Sequence, residues 1–87
     1  MSIVAQPTPN PNALKFVVGS DVGGPSTYAA GQEVEDEPAR QILALDGVTS
    51  VFMTADFVTI SKAPEGDWNV IAPAAEQILT DHYHGED

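Results

Sequence analysis

Residues 47–62 read GVTSVFMTADFVTISK, two short apolar runs (48–53 and 57–62) joined by Thr54, Ala55 and Asp56. Both runs are rich in β-branched and aromatic residues, which suit a pleated, half-buried surface. The polar connection is short enough to close a hairpin. Pairing Phe52 with Phe57 places Val51 opposite Val58 and Thr49 opposite Ile60. Side chains alternate along a strand. One face therefore carries Val51, Val58 and Ile60, and the other carries Phe52 and Phe57 with Ser50 and Thr59. A hairpin alone is marginal in water, so the rest of the chain must cover a face. A two-layer domain covers only one, which leaves the second free to meet something else.

With 87 residues, the chain makes one small domain over 1–87, burying roughly 60–65% of the surface its unfolded form exposes. It has no cysteine, hence no disulfide and no thiolate metal ligand. No apolar run approaches the roughly 18 residues of a membrane span, and the opening MSIVAQPTPNPN lacks the basic and apolar regions of a signal peptide. The expected location is the cytoplasm. Thirteen acidic residues against three basic ones give a net charge of −10. Nucleic-acid backbones and anionic membranes are poor partners for such a chain; basic proteins or metal cations are better ones. Acidity also serves solubility alone.

Residues 1–12 alternate Pro7, Pro9 and Pro11 with Thr8, Asn10 and Asn12. Each proline removes a donor and extends its predecessor, so this segment reads as an extended arm or paired turns. A strand over 13–18 points Leu14, Phe16 and Val18 one way, Lys15 and Val17 the other. After a glycine-marked loop, 26–30 form a weaker strand. Asp36 reads as the N-cap of a helix running to about Leu45, with Pro38 in its first turn and Ala39, Ile42 and Leu43 as its apolar stripe. Gly47 stops it. After the hairpin, Asp67 can cap a last helix from Trp68 to about Tyr83, with Ile71, Ala74, Ala75, Ile78, Leu79 and His82 on one face. Pro73 lies too deep for its first turn, so either the helix kinks there or residues 68–72 form a separate turn. Residues 84–87 should fray. The order β-β-α-β-β-α predicts an α+β two-layer sandwich: a four-stranded antiparallel sheet with two helices on one face.

The side chains offer little for catalysis, and no enzyme activity is expected. No serine lies in a G-x-S-x-G context, and the two histidines, His82 and His84, sit near the C-terminus. Glu33, Glu35, Asp36 and Glu37 read as a solvated loop and helix cap rather than an acid/base pair. Asp81, His82, His84, Glu86 and Asp87 could approach a divalent cation, but a fraying terminus does not hold about four ligands rigidly. There is no glycine-rich phosphate loop and no basic patch interleaved with aromatics. What remains is a surface. Phe52 and Phe57 either form an exposed contact patch or lie beneath the arm of residues 1–12.

Several stretches together resemble the Nfu/NifU N-terminal domain family. TPNPNALKF at residues 8–16 is similar to the family's opening signature; ARQIL at 39–43 and GVTSVF at 47–52 resemble its helix and following strand. DFVTISK at 56–62, and Trp68 followed by Pro73 and Ile78, complete the match over about 5–83. There are departures: Asp36, Glu37, Pro38 and Ala39 stand where the family usually has Ser-Pro-Leu-Ala, and residues 26–30 lack the phenylalanine often found on the second strand. The resemblance implies the same α+β fold and a link to iron–sulfur cluster assembly or delivery. In full-length relatives a separate C-terminal CxxC domain holds the cluster. A chain without cysteine binds no cluster by thiolates and meets one only through a partner. The implied role is an accessory, non-enzymatic interaction module, monomeric, with a protein partner from iron–sulfur biogenesis. The residues expected to carry it are Phe52, Asp56 and Phe57 of the hairpin and Asn10, Pro11 and Asn12 of the arm. The alternative is a small acidic protein that binds iron or another divalent metal weakly.

Overall fold

The computed structural model describes residues 3–19 and 21–83; the tail expected to fray, 84–87, lies outside them. Its elements are β1 (Val4–Pro7), β2 (Ala13–Val17), β3 (Gly23–Ala29), α1 (Glu37–Leu43), β4 (Val48–Ala55), β5 (Phe57–Lys62) and α2 (Trp68–Tyr83). The class is α+β, but the antiparallel sheet has five strands, in the order β1-β2-β5-β4-β3, not four. The extra strand comes from the proline-rich arm. Val4 pairs with Val17 and Pro7 with Leu14. An edge strand needs only one of its sides for hydrogen bonding, and Pro7 falls at its last position, where proline is tolerated.

The hairpin lies at the heart of the sheet, in a register two residues from the expected one. Thr54 opposes Phe57, Met53 opposes Val58, Phe52 opposes Thr59 and Val51 opposes Ile60. The turn is tighter than the polar stretch suggested, with Ala55 at φ 52°. An odd slip would have exchanged the faces, whereas a slip of two residues conserves them. Val51, Met53, Val58 and Ile60 are accordingly buried, and Phe52, Phe57 and Thr59 are half-buried on the other side. A bulge between Val48 and Ser50 closes the ladder.

Both helices lie against the buried face. Phe16, Val51, Met53, Val58 and Ile60 of the sheet share one core with Ala39 and Ile42 of α1 and Ile71, Ala75 and Leu79 of α2. Asp36 occupies the N-cap position of α1, but its side chain makes no capping hydrogen bond, and the helix ends at Leu43, two residues short of expectation. Asp67 does cap α2: its Oδ1 accepts from the Asn69 amide at 2.9 Å. The last helix is one element with Pro73 inside it, and not two pieces. Its buried line is Ile71, Ala75 and Leu79; His82, expected on that face, is exposed. β3 begins three residues earlier than expected, at Gly23. Gly24, at φ +83°, lies so close to β4 that a Cβ there would collide with the Met53 carbonyl oxygen.

Candidate functional site

The face of the sheet away from the helices can be read row by row from the strand pairings. One row runs Gln6, Lys15, Thr59, Phe52, Thr27 across all five strands; the next, toward the hairpin turn, runs Val4, Val17, Phe57, Thr54. Phe52 and Phe57 are diagonal neighbours with ring centroids 6.5 Å apart and planes tilted by 56°. This tilted geometry is favoured between aromatic quadrupoles. The Lys15 ammonium lies 4.3 Å from the Phe57 centroid, a cation–π contact that lays its alkyl stem along the sheet. The described part of the arm, from residue 3 on, does not lie over the rings: β1 runs beside β2, and residues 8–12 turn at the far end of the strands. Val4, on the edge, is half-exposed.

Charge divides along the same boundary. Among the described residues no acidic side chain falls within a strand, whereas two of the three basic residues, Lys15 and Lys62, do. Asp56 and Asp21 stand at the hairpin end, where the Val22 amide donates to the Ala55 carbonyl at 2.8 Å. The Asp56 carbonyl accepts from the Val18 and Gly19 amides at 2.8 and 3.3 Å, which leaves its carboxylate exposed. Asp21 Oδ1 accepts from the Gly23 amide at 2.8 Å.

Asn10, Pro11 and Asn12 lie at the opposite end of the sheet and do not join Phe52, Asp56 and Phe57. Their polar atoms are occupied in holding the fold. Asn10 Oδ1 accepts from the Asn12 amide at 2.9 Å, and the Asn10 carbonyl accepts from the Ala13 amide at 3.0 Å, a local Asx-type turn. The Pro11 carbonyl accepts from Trp68 Nε1 at 3.0 Å, and Asn12 Oδ1 accepts from Lys62 Nζ at 2.9 Å. Lys62, only 9% exposed, also lies 5.8 Å from the Trp68 ring centroid. Sequence reasoning passed over Lys62 and gave Trp68 no role. A lysine closing an apolar strand just before a tryptophan-led helix was the available signal.

Two open clefts flank the helices. One, of about 900 Å³, is lined by Tyr28, Val34, Glu33, Glu35, Asp36 and Arg40 among others; a second, of about 310 Å³, lies among Asp46, Glu65, Asp67 and Val70. Arg40 does not neutralise the first, because its guanidinium donates to Glu37, whose carboxyl it holds below its ordinary pKa. Burial, and then the charges of Asp36 and Tyr28, push the Tyr83 phenol up. Among the described residues no three His, Cys, Asp or Glu side chains converge as a metal site. The tail part of the Asp81–Asp87 cluster lies outside those residues. Among the described residues no helix is long and apolar enough to cross a membrane.

Comparison with known proteins gives a consistent picture. The family model described as "Scaffold protein Nfu/NifU N terminal" matches residues 3–86. "NFU1 iron-sulfur cluster scaffold homolog, mitochondrial" of Drosophila virilis is 37% identical over 95% of this chain and 29% of its own length. "Conserved virulence factor C" of Staphylococcus aureus is 35% identical over 87% of this chain and 21% of its own. The chain thus spans less than a third of these curated relatives. The crystal structure of protein SAV1430 from Staphylococcus aureus superposes with a TM-score of 0.78 at 27% identity, covering 91% of this chain and 99% of that one.

Proposed function

Because the chain belongs to the Nfu/NifU N-terminal family, we propose that it is a non-enzymatic protein-interaction module serving iron–sulfur cluster assembly or delivery. The donor set does not fit a resident cluster: the chain has no cysteine, and thiolates are the usual cluster ligands. The cluster is then cargo held by a partner, and the chemistry asked of this chain is recognition. The observation that carries this reading is the Phe52–Phe57 pair on a sheet face that neither the helices nor the described part of the arm covers. Aromatic side chains at the centre of a polar-rimmed patch are the usual anchors of protein interfaces. In this role Phe52 and Phe57 supply apolar area and Asp56 a polar rim. Asn10, Pro11 and Asn12 act at one remove, by fixing where β1 and β2 turn.

The test is an NMR titration of the labelled chain with purified iron–sulfur cluster carriers. The expected result is a set of shifts concentrated on β5 and the middle of β4, lost in Phe52→Ala and Phe57→Ala variants that keep a dispersed spectrum. Absence of shifts with every carrier, together with normal activity of cellular cluster enzymes in cells bearing both substitutions, would sink the proposal.

A further inference from the structure

The open face also limits what kind of surface can sit on it. We infer that its occupant is a basic protein whose contact patch is apolar at the centre and carries lysine or arginine at one edge; this specification rests on the docking reading above. Charge supplies the first argument. The chain carries −10 overall, so a basic partner is steered toward it and an acidic one held off. At contact the pattern is finer. The carboxylates Asp21 and Asp56 stand at the hairpin end, where a partner cation can meet them. The centre holds the two rings and the Lys15 ammonium, which repels a second cation and accepts an apolar or aromatic group.

Area supplies the second. Five strands about 4.8 Å apart and on average about six residues long present a face of roughly 400 Å². Stable interfaces take about 800 Å² from each partner. The face is therefore sized for a transient encounter. A second copy of this chain fits it poorly, since face-to-face pairing would bring two chains of charge −10 together over a small area.

The experiment uses the full chain and three synthetic peptides of equal length. One has an aromatic and aliphatic centre flanked by lysines, the second the same centre flanked by glutamates, and the third lysine flanks around a serine centre. Amide shifts at Val17, Asp56, Phe57 and Thr59 are expected with the first peptide alone. Affinity should fall about tenfold in the Asp21→Asn/Asp56→Asn double variant, and about tenfold in about 0.5 M sodium chloride. Because Phe52→Ala could disturb the sheet, the Asp double variant, altered only outside the strands, keeps the test decisive. Equal binding of the glutamate-flanked peptide overturns the inference. So do equal shifts with the serine-centred peptide, shifts confined to the Glu33–Asp36 cleft, or a concentration-dependent dimer that shifts the same amides without any peptide. The peptides contain no iron–sulfur protein, so the two readings fail separately. A response to carriers without one to peptides removes only the partner's chemistry; the reverse removes only the iron–sulfur link.

Discussion

Lys62, nearly buried at the end of β5, ties two distant parts of the chain together. Its ammonium joins the turn before β2, through Asn12, to the first residue of α2, through the Trp68 ring. Replacing it by methionine keeps the alkyl stem and removes both interactions. The expected loss is about 1–2 kcal/mol of unfolding free energy in urea, with the Asn12 side-chain resonance shifted. Glu37 offers a different measurement. Its carboxyl is lowered from 4.5, first by the hydrogen bond from Arg40 and then by that from Gln41. A lowered folded value means that the associated stability is present above the unfolded pKa and is lost as pH falls through the folded one. Carbon-detected titration should place Glu37 below the ordinary glutamate value, and Arg40→Gln should return it toward that value. The pair is solvent-exposed, so the melting temperature should hardly move. Phe52 and Phe57 were legible in the sequence because alternation alone sets the face on which they stand. The part played by Lys62 was not, because Asn12, which makes its best hydrogen bond, is fifty residues away.

Among the elements, the hairpin was the most readable and the first strand the least. β4 and β5 carry their own pattern of apolar and polar positions, and that pattern survives a register error of two residues. The arm shows no such pattern, and its prolines argue against regular pairing. Its strand exists because β2 offers it an edge, which is information held by the neighbour. Pro73 was misleading for a related reason. A proline in a helix interior forfeits one hydrogen bond, yet packing of Ile71, Ala75 and Leu79 keeps the helix in one piece. β3 depends on a local fact of the backbone. At Gly24 an alanine would have to hold φ near +83° with its Cβ against the Met53 carbonyl. Gly24→Ala is expected to cost about 2–4 kcal/mol and to broaden or shift β4 amides around Met53, as read by denaturant melts and amide spectra. Gly31→Ala, a residue also at positive φ but with open space around it, should cost less.

At the scale of the whole molecule, the fold class followed from the order of elements and the family from the resemblance of stretches such as 8–16 and 56–62, whereas the strand count and the uncovered face needed coordinates. Charge at this scale is also testable. With carboxylates concentrated in loops and helices and a total of −10, self-repulsion opposes compaction. Raising sodium chloride from about 0.02 to about 0.5 M shortens the screening length severalfold and should raise the melting temperature; a flat or falling response would show that like-charge repulsion is negligible here. The strand order has a consequence for how the chain is made. A ribosome releases β1, β2 and β3 first, yet β2 waits for β5 and β3 waits for β4. The nascent chain can close its early turn but has no sheet to join until residue 62 has left the exit tunnel. Because Ile71, Ala75 and Leu79 of α2 complete the core, translation pauses before that helix has emerged should lengthen the chain's exposure to chaperones and proteases.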